Sequence, residues 1–438
     1  METILEAAAK VADSAEVFHV SSRHTPVSFE ANRLKSLQTK ESHGVALRII
    51  KDGRIGFSST NRTNDIDGLV QRALEVAPFG AEAKFDLPSG DGYPDVPLYD
   101  RAVEEISVEA MVDLGQSMVD GVRSHSSEVL CDASVGQSVV SVRLLNTNGV
   151  DVGYKKSVFY LGIGGTRVRG TDMLFVGDDE TSSRPLSNWQ EVVYRVNLQL
   201  DLAEETADAP TGKLSVIFTP DAVAGILLYP LLVGFNGRTV AQGASPLIGR
   251  LGQRICDQRF TMYDDGTVAY RPGSRPWDDE GIVTRRIPLI EKGIATSFLY
   301  DLKTAAQTGA QTTGSASRPG GSLPSPSTSV LFIEEGDMPY NEMVADMREG
   351  LVIDRLLGAG QTNVLAGDFS GNVLLGYKVE KGKIVGRVKN SMVAGNVYQL
   401  LNNLVAIGKE AQWRGGSLRT PALYCKDVAV ARAEGQGQ

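Results

Sequence analysis

Histidine and cysteine, two of the residue types that most often bind zinc, are scarce in this sequence of 438 residues. Four histidines occur and all lie within the first 125 residues, which argues against histidine-based catalysis in the C-terminal two thirds. The three cysteines, Cys131, Cys256 and Cys425, are far apart and form no Cys-x-x-Cys pair. Zinc knuckles and disulfide frameworks need cysteines at characteristic spacings, so the sequence predicts neither.

Long apolar runs are also missing. The longest stretches, such as Val223 to Leu232, fall far short of the roughly 20 residues that cross a bilayer. The first residues are charged and amphipathic, whereas an export signal is basic and then apolar. Together with the unpaired cysteines, these features predict a cytoplasmic protein with no membrane partner.

Positive charge is in deficit, since 44 Lys and Arg face 53 Asp and Glu and leave a formal net charge of −9. Nucleic-acid binding relies on clustered Lys and Arg that neutralise phosphates, so nucleic acid is not expected as the main partner. Glycine, in contrast, is plentiful at 47 residues, which indicates many turns and close backbone approaches.

Turn signals and hydrophobic periods indicate an α+β fold in three predicted domains. Residues 1–80 are typical of an N-terminal α/β module, with a hairpin at Asp52-Gly53. Residues 101–210 run from helix through strands to helix, the pattern of a central α+β domain with an antiparallel sheet. Residues 211–438 are expected to form a C-terminal domain, mainly of antiparallel strands with a few helices.

Two polar segments are expected at the surface. Residues 307–328 are rich in Ser, Thr, Gly and Pro, which favours a flexible surface loop, with a lid or a partner-binding arm as the alternative. The run Asp178-Asp179-Glu180 is interpreted as a solvated loop.

A second acidic run, Asp278-Asp279-Glu280, follows Trp277 and permits two interpretations. Acidic residues followed by glycine are common in surface turns, and this interpretation is favoured. Carboxylates a few ångströms apart also bind divalent cations or act as an acid/base pair, so the run is kept as a candidate acidic site.

Several short motifs, each weak alone, together resemble the TldD/PmbA family, once called modulators of DNA gyrase. The resemblance covers essentially the whole chain, because the motifs keep their order and spacing. They include residues 45–56, Pro210 to Phe218, Gly243 to Gly252, Ile290 to Gly293, and Gly367 to Ser370.

In this family, TldD-type members carry a His-Glu-x-x-x-His helix and a later Cys, which bind zinc and make the protein a peptidase. In this sequence, the segment Ala224–Gly234 resembles the helix that carries this motif. Tyr229 and Pro230 stand at the positions of the first His and the Glu, and Gly234 stands at the position of the second His. The resemblance therefore implies a metal-free PmbA-like or TldE-like subunit with no catalytic residue, zinc ligand or cofactor of its own. Cys425 is then interpreted as a core residue.

The resemblance also implies a function through a partner. A TldD-type zinc-bearing subunit would cleave extended peptides, and this chain would help to hold them by strand addition to an exposed sheet edge. A homodimer is left open. Two alternatives remain: a stand-alone hydrolase with a divalent ion at Asp278–Glu280, and a non-enzymatic scaffold or regulator.

Overall fold

Two large and mostly antiparallel sheets form the framework of the protein. A computed structural model describes residues 1–62 and 65–432, and the statements below concern these residues. One sheet has seven described strands and the other has twelve, and a separate pair of short strands lies apart from both. The predicted α+β fold class is confirmed.

The first sheet comes from residues 14–182 and has the order β4-β3-β1-β5-β6-β7, with β2 added on β1. Its elements are helix α1 (Glu2–Ala9), strands β1 (Ser14–Glu30), β2 (Arg33–Leu37), β3 (Lys40–Lys51) and β4 (Arg54–Thr60), helices α2 (Ile66–Val76), α3 (Arg101–Glu104) and α4 (Val108–His125), strands β5 (Leu130–Asn146), β6 (Asp151–Arg169) and β7 (Asp172–Ser182), and helix α5 (Trp189–Leu202). Strand β1 pairs with both β3 and β5, so the first two predicted domains share one sheet. Their boundaries remain a prediction.

Local sequence signals account for several of these elements. Asp52 and Gly53 both have positive φ, as the predicted hairpin turn between β3 and β4 requires. Ser107 caps α4, because its hydroxyl accepts a hydrogen bond from the amide of Ala110. The sequence offers Asn64 or Asp65 as the N-cap of α2; the helix begins after Asp65, and Asn64 lies outside the described residues.

The second sheet contains the remaining long strands, and a few of its pairs are parallel. Its strands are β8 (Thr206–Ala207), β9 (Gly212–Phe218), β10 (Met262–Asp265), β11 (Arg286–Glu291), β12 (Ile294–Ala295), β15 (Leu331–Ile333), β16 (Glu349–Leu357), β17 (Asp368–Glu380), β18 (Lys383–Val388), β19 (Ser391–Asn396), β20 (Leu404–Arg414) and β21 (Leu418–Arg432), and the separate pair is β13 (Ala316–Ser317) and β14 (Ser325–Pro326). The helices are α6 (Pro220–Ala222), α7 (Leu228–Phe235), α8 (Gly237–Ala241), α9 (Leu302–Thr308), α10 (Tyr340–Asp346) and α11 (Val397–Asn402).

The two sheets share an apolar core. Met118 of α4 and Val196 of α5 pack in the same buried cluster as Val352 of β16 and Tyr377 of β17. Each large apolar side chain buried in this way contributes roughly 1.5–3 kcal/mol of transfer free energy. No described helix is both long and apolar enough to cross a membrane.

Both segments that were expected at the surface are partly buried instead. Asp178-Asp179-Glu180 is not a solvated loop, because it belongs to strand β7 and Asp178 is buried. Ser315 and Arg318 are also buried, so the flexible-loop prediction for residues 307–328 is wrong there. Small polar residues allow the backbone to pack closely, and the amide of Ala316 is held by Asp278 Oδ2 at 2.9 Å.

Candidate functional site

One helical segment from Pro220 to Phe235 contains all three positions that correspond to the zinc motif. It begins at Thr219, whose hydroxyl accepts from the amide of Ala222, and includes a π-helical turn over Val223–Leu227. Pro230 lacks an N–H and cannot complete the helical bond to the residue four positions earlier, and a π turn is one way to absorb that loss. Tyr229, Pro230 and Gly234 therefore lie together on a helix, as predicted.

The surroundings of this helix do not fit zinc. A Cβ atom at Gly234 would lie 2.1 Å from Tyr398 Oη, so any side chain at the second histidine position would have to displace Tyr398. Tyr229 is exposed and Pro230 is buried, and neither carries a nitrogen ligand. Cys425 is fully buried in β21, and burial raises the pKa of its thiol, which disfavours the thiolate that binds metals. Within the described residues, no three His, Cys, Asp or Glu are grouped to hold a metal ion.

Replacing Gly234 with alanine should destabilise the protein by about 1–3 kcal/mol, because the added methyl group meets Tyr398 in a packed core. Gly225 lies in the same helical segment, and a Cβ there would meet nothing within 4 Å. Gly225→Ala is therefore the matched control, with an expected change near zero or slightly stabilising. Urea unfolding measures both variants. Adding Tyr398→Phe to Gly234→Ala should recover most of the loss, and no recovery would contradict the proposed clash.

The acidic run Asp278-Asp279-Glu280 forms a turn, but the turn is buried. Asp278 Oδ1 accepts from the amides of Glu280 and Ile282 at 3.0 Å, while Oδ2 accepts from Ala316. Burial raises the pKa of the Asp278 carboxyl. The expectation of a surface turn was therefore right about the turn and wrong about its exposure, because two amides of the turn itself and the distant amide of Ala316 replace water around the carboxylate.

The other two carboxylates of the run bind arginines and backbone amides. Asp279 contacts Arg275 at 3.3 Å and accepts from the amide of Arg318 at 2.7 Å. Glu280 pairs with Arg48 of β3 and accepts from the amide of Leu302 at 2.7 Å. Burial raises the pKa of Glu280, and Arg48 opposes that effect. These contacts engage the oxygens that a divalent ion would need, so the geometry does not support a metal site at this turn.

Glu16 of β1 extends these contacts into a buried ionic network. Its Oε2 lies 3.1 Å from Arg48 Nη2, and its Oε1 pairs with Arg318. Arg48 also pairs with Glu280, so the network joins the first sheet to the turn and to the segment around β13. The acidic turn is thus part of a junction between the two halves of the chain.

A second polar cluster lies in the cleft between β7 and α5 on one side and α6, β16 and β20 on the other. Arg414 lies 3.3 Å from Asp178 and 2.9 Å from Asp221, and so connects the two sides. Arg195 contacts Asp178 at 3.2 Å. Burial raises the pKa of Asp178 to about 7, although both arginines oppose this. A cavity of about 230 Å³ opens beside this cluster and is also lined by Asp354.

Sequence reasoning missed this cleft. Its acidic residues come from β7, α6 and β16, which lie far apart in the chain, and Asp178 had been interpreted as part of a loop. One signal was available at Asp354, which directly follows the buried run Leu351–Ile353. A carboxylate that follows a buried apolar run inside a strand requires a partner or a function.

The free edge of β7 beside this cleft is blocked at one residue. The side-chain amide of Gln199 accepts from the Gly177 N–H at 2.8 Å and donates to the Gly177 carbonyl at 3.1 Å. Arg355 donates to the same carbonyl. Side chains thus occupy the backbone groups that an added peptide strand would use at this position.

Comparison with known proteins establishes the family. Residues 211–432 match the family model described as the PmbA/TldA metallopeptidase C-terminal domain, and residues 15–77 match the one described as PmbA/TldA metallopeptidase domain 1. The chain belongs to the PmbA/TldD metallopeptidase family.

Relatives and solved structures agree with this assignment over nearly the whole length. An uncharacterized protein of Methanocaldococcus jannaschii is 28% identical, with 98% of this chain and 99% of the relative covered. Metalloprotease PmbA of Escherichia coli O157:H7 is 25% identical, with 100% of this chain and 95% of the relative covered. The structure of TldE from Thermococcus kodakarensis has a TM-score of 0.89 at 23% identity and covers 98% of this chain and 99% of its own, which shows the same fold.

Proposed function

We propose that this chain is a zinc-free subunit that acts in the cytoplasm beside a TldD-type zinc metallopeptidase. The observation that carries the proposal is the helix Leu228–Phe235, where Tyr229, Pro230 and Gly234 stand in place of the zinc motif. Tyr398 fills the space that a histidine at position 234 would need. Membership in a metallopeptidase family and similarity to a protein named PmbA support a role in proteolysis.

The alternative of a stand-alone hydrolase at Asp278–Glu280 has less support. Each of its carboxylates is engaged by an arginine or by backbone amides. A general acid or base must reach the substrate, and Asp278 and Glu280 are 0% exposed. The scaffold alternative requires no chemistry and becomes an outcome of the experiment below.

The proposed substrate is an extended peptide held partly by this chain. Gln199 and Arg355 block strand addition at Gly177 of β7, so the peptide would have to pair elsewhere. We propose that the cleavage chamber forms between this chain and its partner, and that a homodimer of this chain alone would not cleave peptide. In this proposal, the partner supplies the zinc and this chain supplies part of the wall of the cleavage chamber.

Co-expression of the full chain with the TldD-type protein of the same organism tests the proposal. Zinc content by mass spectrometry, co-purification and peptide cleavage are measured for each protein alone and for the pair. We expect no stoichiometric zinc and no cleavage by this chain alone, and zinc-dependent cleavage by the pair. A partner variant with its first motif histidine replaced by alanine is the control, and it should pair normally without cleaving.

Two results would overturn the proposal. Stoichiometric zinc with cleavage by this chain alone would make it an enzyme in its own right. A failure to associate with the TldD-type protein, with no effect on its cleavage, would favour the scaffold or regulator instead.

A further inference from the structure

The cavity of about 230 Å³ in the cleft has an excess of negative charge. Its lining includes the carboxylates of Asp178, Asp221, Asp354 and Glu410, and two guanidiniums, those of Arg195 and Arg414. The volume is below the roughly 300–1,000 Å³ of typical small-molecule sites, so it suits a small group rather than a large ligand. With all six groups ionised, the charges leave two carboxylates uncompensated.

The guanidiniums of Arg195 and Arg414 are committed to carboxylates other than that of Asp354. Arg414 contacts Asp178 and Asp221, and Arg195 contacts Asp178. Asp354 has a weaker contact, since Arg355 Nε lies 3.6 Å from its Oδ2. Glu410 is exposed to solvent, so the buried carboxylate of the cavity that these two arginines leave unpaired is that of Asp354.

Asp354 is 93% buried, since its exposure is 7%, yet one of its oxygens lacks a hydrogen bond. Its Oδ1 accepts from the Thr219 hydroxyl at 2.8 Å, whereas Oδ2 has no hydrogen-bond partner among the described residues. A buried carboxylate oxygen left without a donor is costly, and such a group often belongs to a binding site. Burial raises the pKa of Asp354 and the nearby charge of Asp221 adds to the rise, while Arg355, the Thr219 hydroxyl and Arg414 oppose it.

Two tyrosines, Tyr340 and Tyr377, line the same cavity. The hydroxyl of Tyr377 donates to the Gln199 carbonyl at 3.4 Å, and the amide of Tyr340 donates to Glu410 at 3.2 Å. A carboxylate beside aromatic rings is the combination that recognises organic cations, because the ring face attracts positive charge. The cavity thus pairs an under-neutralised carboxylate with an aromatic lining.

We propose that this cavity binds a protonated primary amine, with Asp354 as its counter-charge and Tyr340 and Tyr377 as its aromatic lining. Two peptide groups share this chemistry, a lysine side chain and an amino terminus. The site belongs to this chain alone, so it does not depend on the proposed pairing with a zinc-bearing subunit.

Calorimetric titration of the full chain tests the proposal at about pH 7, where a lysine ammonium with a pKa of ~10.4 and most of an amino terminus with a pKa of ~7.7–8.0 are protonated. The probes are Nα-acetyl-lysine amide for the side chain, glycine amide for the amino terminus, and Nα-acetyl-norleucine amide as the uncharged match for lysine. A charge-assisted hydrogen bond of about 1.5–3 kcal/mol predicts that an amine binds about 10- to 100-fold more tightly than the norleucine probe. The amine that binds more tightly shows whether the cavity takes a lysine side chain or an amino terminus.

Asp354→Asn should remove this preference for the charged probe. Asp208→Asn is the matched control, since Asp208 is exposed, contacts Arg432 and does not line the cavity. Circular dichroism checks the fold, and if Asp354→Asn does not fold, Glu410→Gln takes its place with an expected loss of several-fold. Equal binding of the lysine and norleucine probes, no binding of either amine, or an unchanged preference in the folded variants would overturn the proposal.

Discussion

Replacing Glu16 with glutamine is expected to lower the free energy of unfolding by about 3–5 kcal/mol, because it leaves two buried guanidiniums without their shared counter-charge. Glu16 is 0% exposed, and the side chains of Arg48 and Arg318 are 2% and 0% exposed. Both carboxylate oxygens are used, Oε2 by Arg48 at 3.1 Å and Oε1 by Arg318. Glutamine keeps the size of the side chain and removes only its charge.

Most of the stability lost in Glu16→Gln is expected to come from the unpaired charge of Arg318. Burial lowers the pKa of Arg318 to about 9, which shows how unfavourable its charge is in this position. Without Glu16, the Arg318 side chain keeps its hydrogen bond to the Asp279 carbonyl, which accepts from Nε at 2.8 Å. A carbonyl dipole does not replace a full negative charge in a low-dielectric interior.

A surface ion pair on the same two strands provides the control for Glu16→Gln. Glu41 of β3 lies 3.9 Å from Arg23 of β1, and their side chains are 77% and 63% exposed. Glu41→Gln should change stability by less than about 0.5 kcal/mol, because exposed pairs contribute little. Urea unfolding followed by tryptophan fluorescence, to which buried Trp277 contributes, measures both variants. A Glu16→Gln effect as small as that of the control would contradict the assignment of a buried ionic junction.

A double-mutant cycle isolates the pair of Glu16 and Arg318. Arg318→Met alone should also destabilise, since it leaves Glu16 with Arg48 as its remaining guanidinium. The double variant should cost less than the sum of the two single variants, because no unpaired guanidinium remains at position 318. Additive losses would mean that the two residues stabilise the fold independently.

Replacing Asp264 with asparagine is expected to change how stability depends on pH. Asp264 of β10 is 1% exposed, and burial raises the pKa of its carboxyl to about 7 from an ordinary value of 3.8. The amide of Ser329 donates to its Oδ1 at 2.8 Å and limits the rise, as does the charge of Arg275. The folded state therefore holds a proton on Asp264 that the unfolded state releases near pH 4.

The direction of the pH dependence follows from the difference between the pKa of Asp264 in the folded state and its pKa in the unfolded state. The stability that the protonated carboxyl contributes is complete below about pH 4 and is lost as the pH rises through about 7. The loss amounts to about 4 kcal/mol, since each unit of pKa difference corresponds to about 1.4 kcal/mol. Asp264→Asn removes the ionisable group and should gain this amount relative to the parent between pH 4 and pH 8, while its amide oxygen still accepts from Ser329.

Urea unfolding of the parent and of Asp264→Asn at several pH values across this range measures the effect. Asp52→Asn is the matched control, because Asp52 lies on the exposed hairpin turn with its carboxylate in water. The stability of Asp52→Asn should depend on pH in the same way as that of the parent. A constant difference between Asp264→Asn and the parent at all pH values would contradict the buried protonated carboxyl.

Much of the fold follows from local signals in the sequence. The hairpin at Asp52-Gly53, the Ser107 cap and the helix after Asp65 depend on residues close together in the chain, and each is seen in the structure. The motif order also predicted the family correctly. The zinc-motif positions Tyr229, Pro230 and Gly234 were inferred from the family resemblance, and the structure places all three on one helix.

The sites were less predictable, because burial depends on partners far away in the sequence. Asp178 and Asp278 look alike as members of acidic runs, and both become buried only when distant strands and loops pack over them. Their partners are equally remote, since Arg414 contacts Asp178 and the amide of Ala316 contacts Asp278. No local period or turn rule encodes such contacts.

The sequence alone thus predicted the family and the α+β class correctly, because these depend on residue identity and short-range spacing. The loss of the zinc motif at Tyr229, Pro230 and Gly234 stays a prediction. The tertiary structure alone decided that Tyr398 fills the space beside Gly234, that Glu16 joins two halves of the chain, and that Asp354 lines a cavity. The physical reason is that the desolvation of a charge depends on everything packed around it. The scarcity of histidine predicts that this helix binds no zinc, and the structure adds that Tyr398 lies against Gly234.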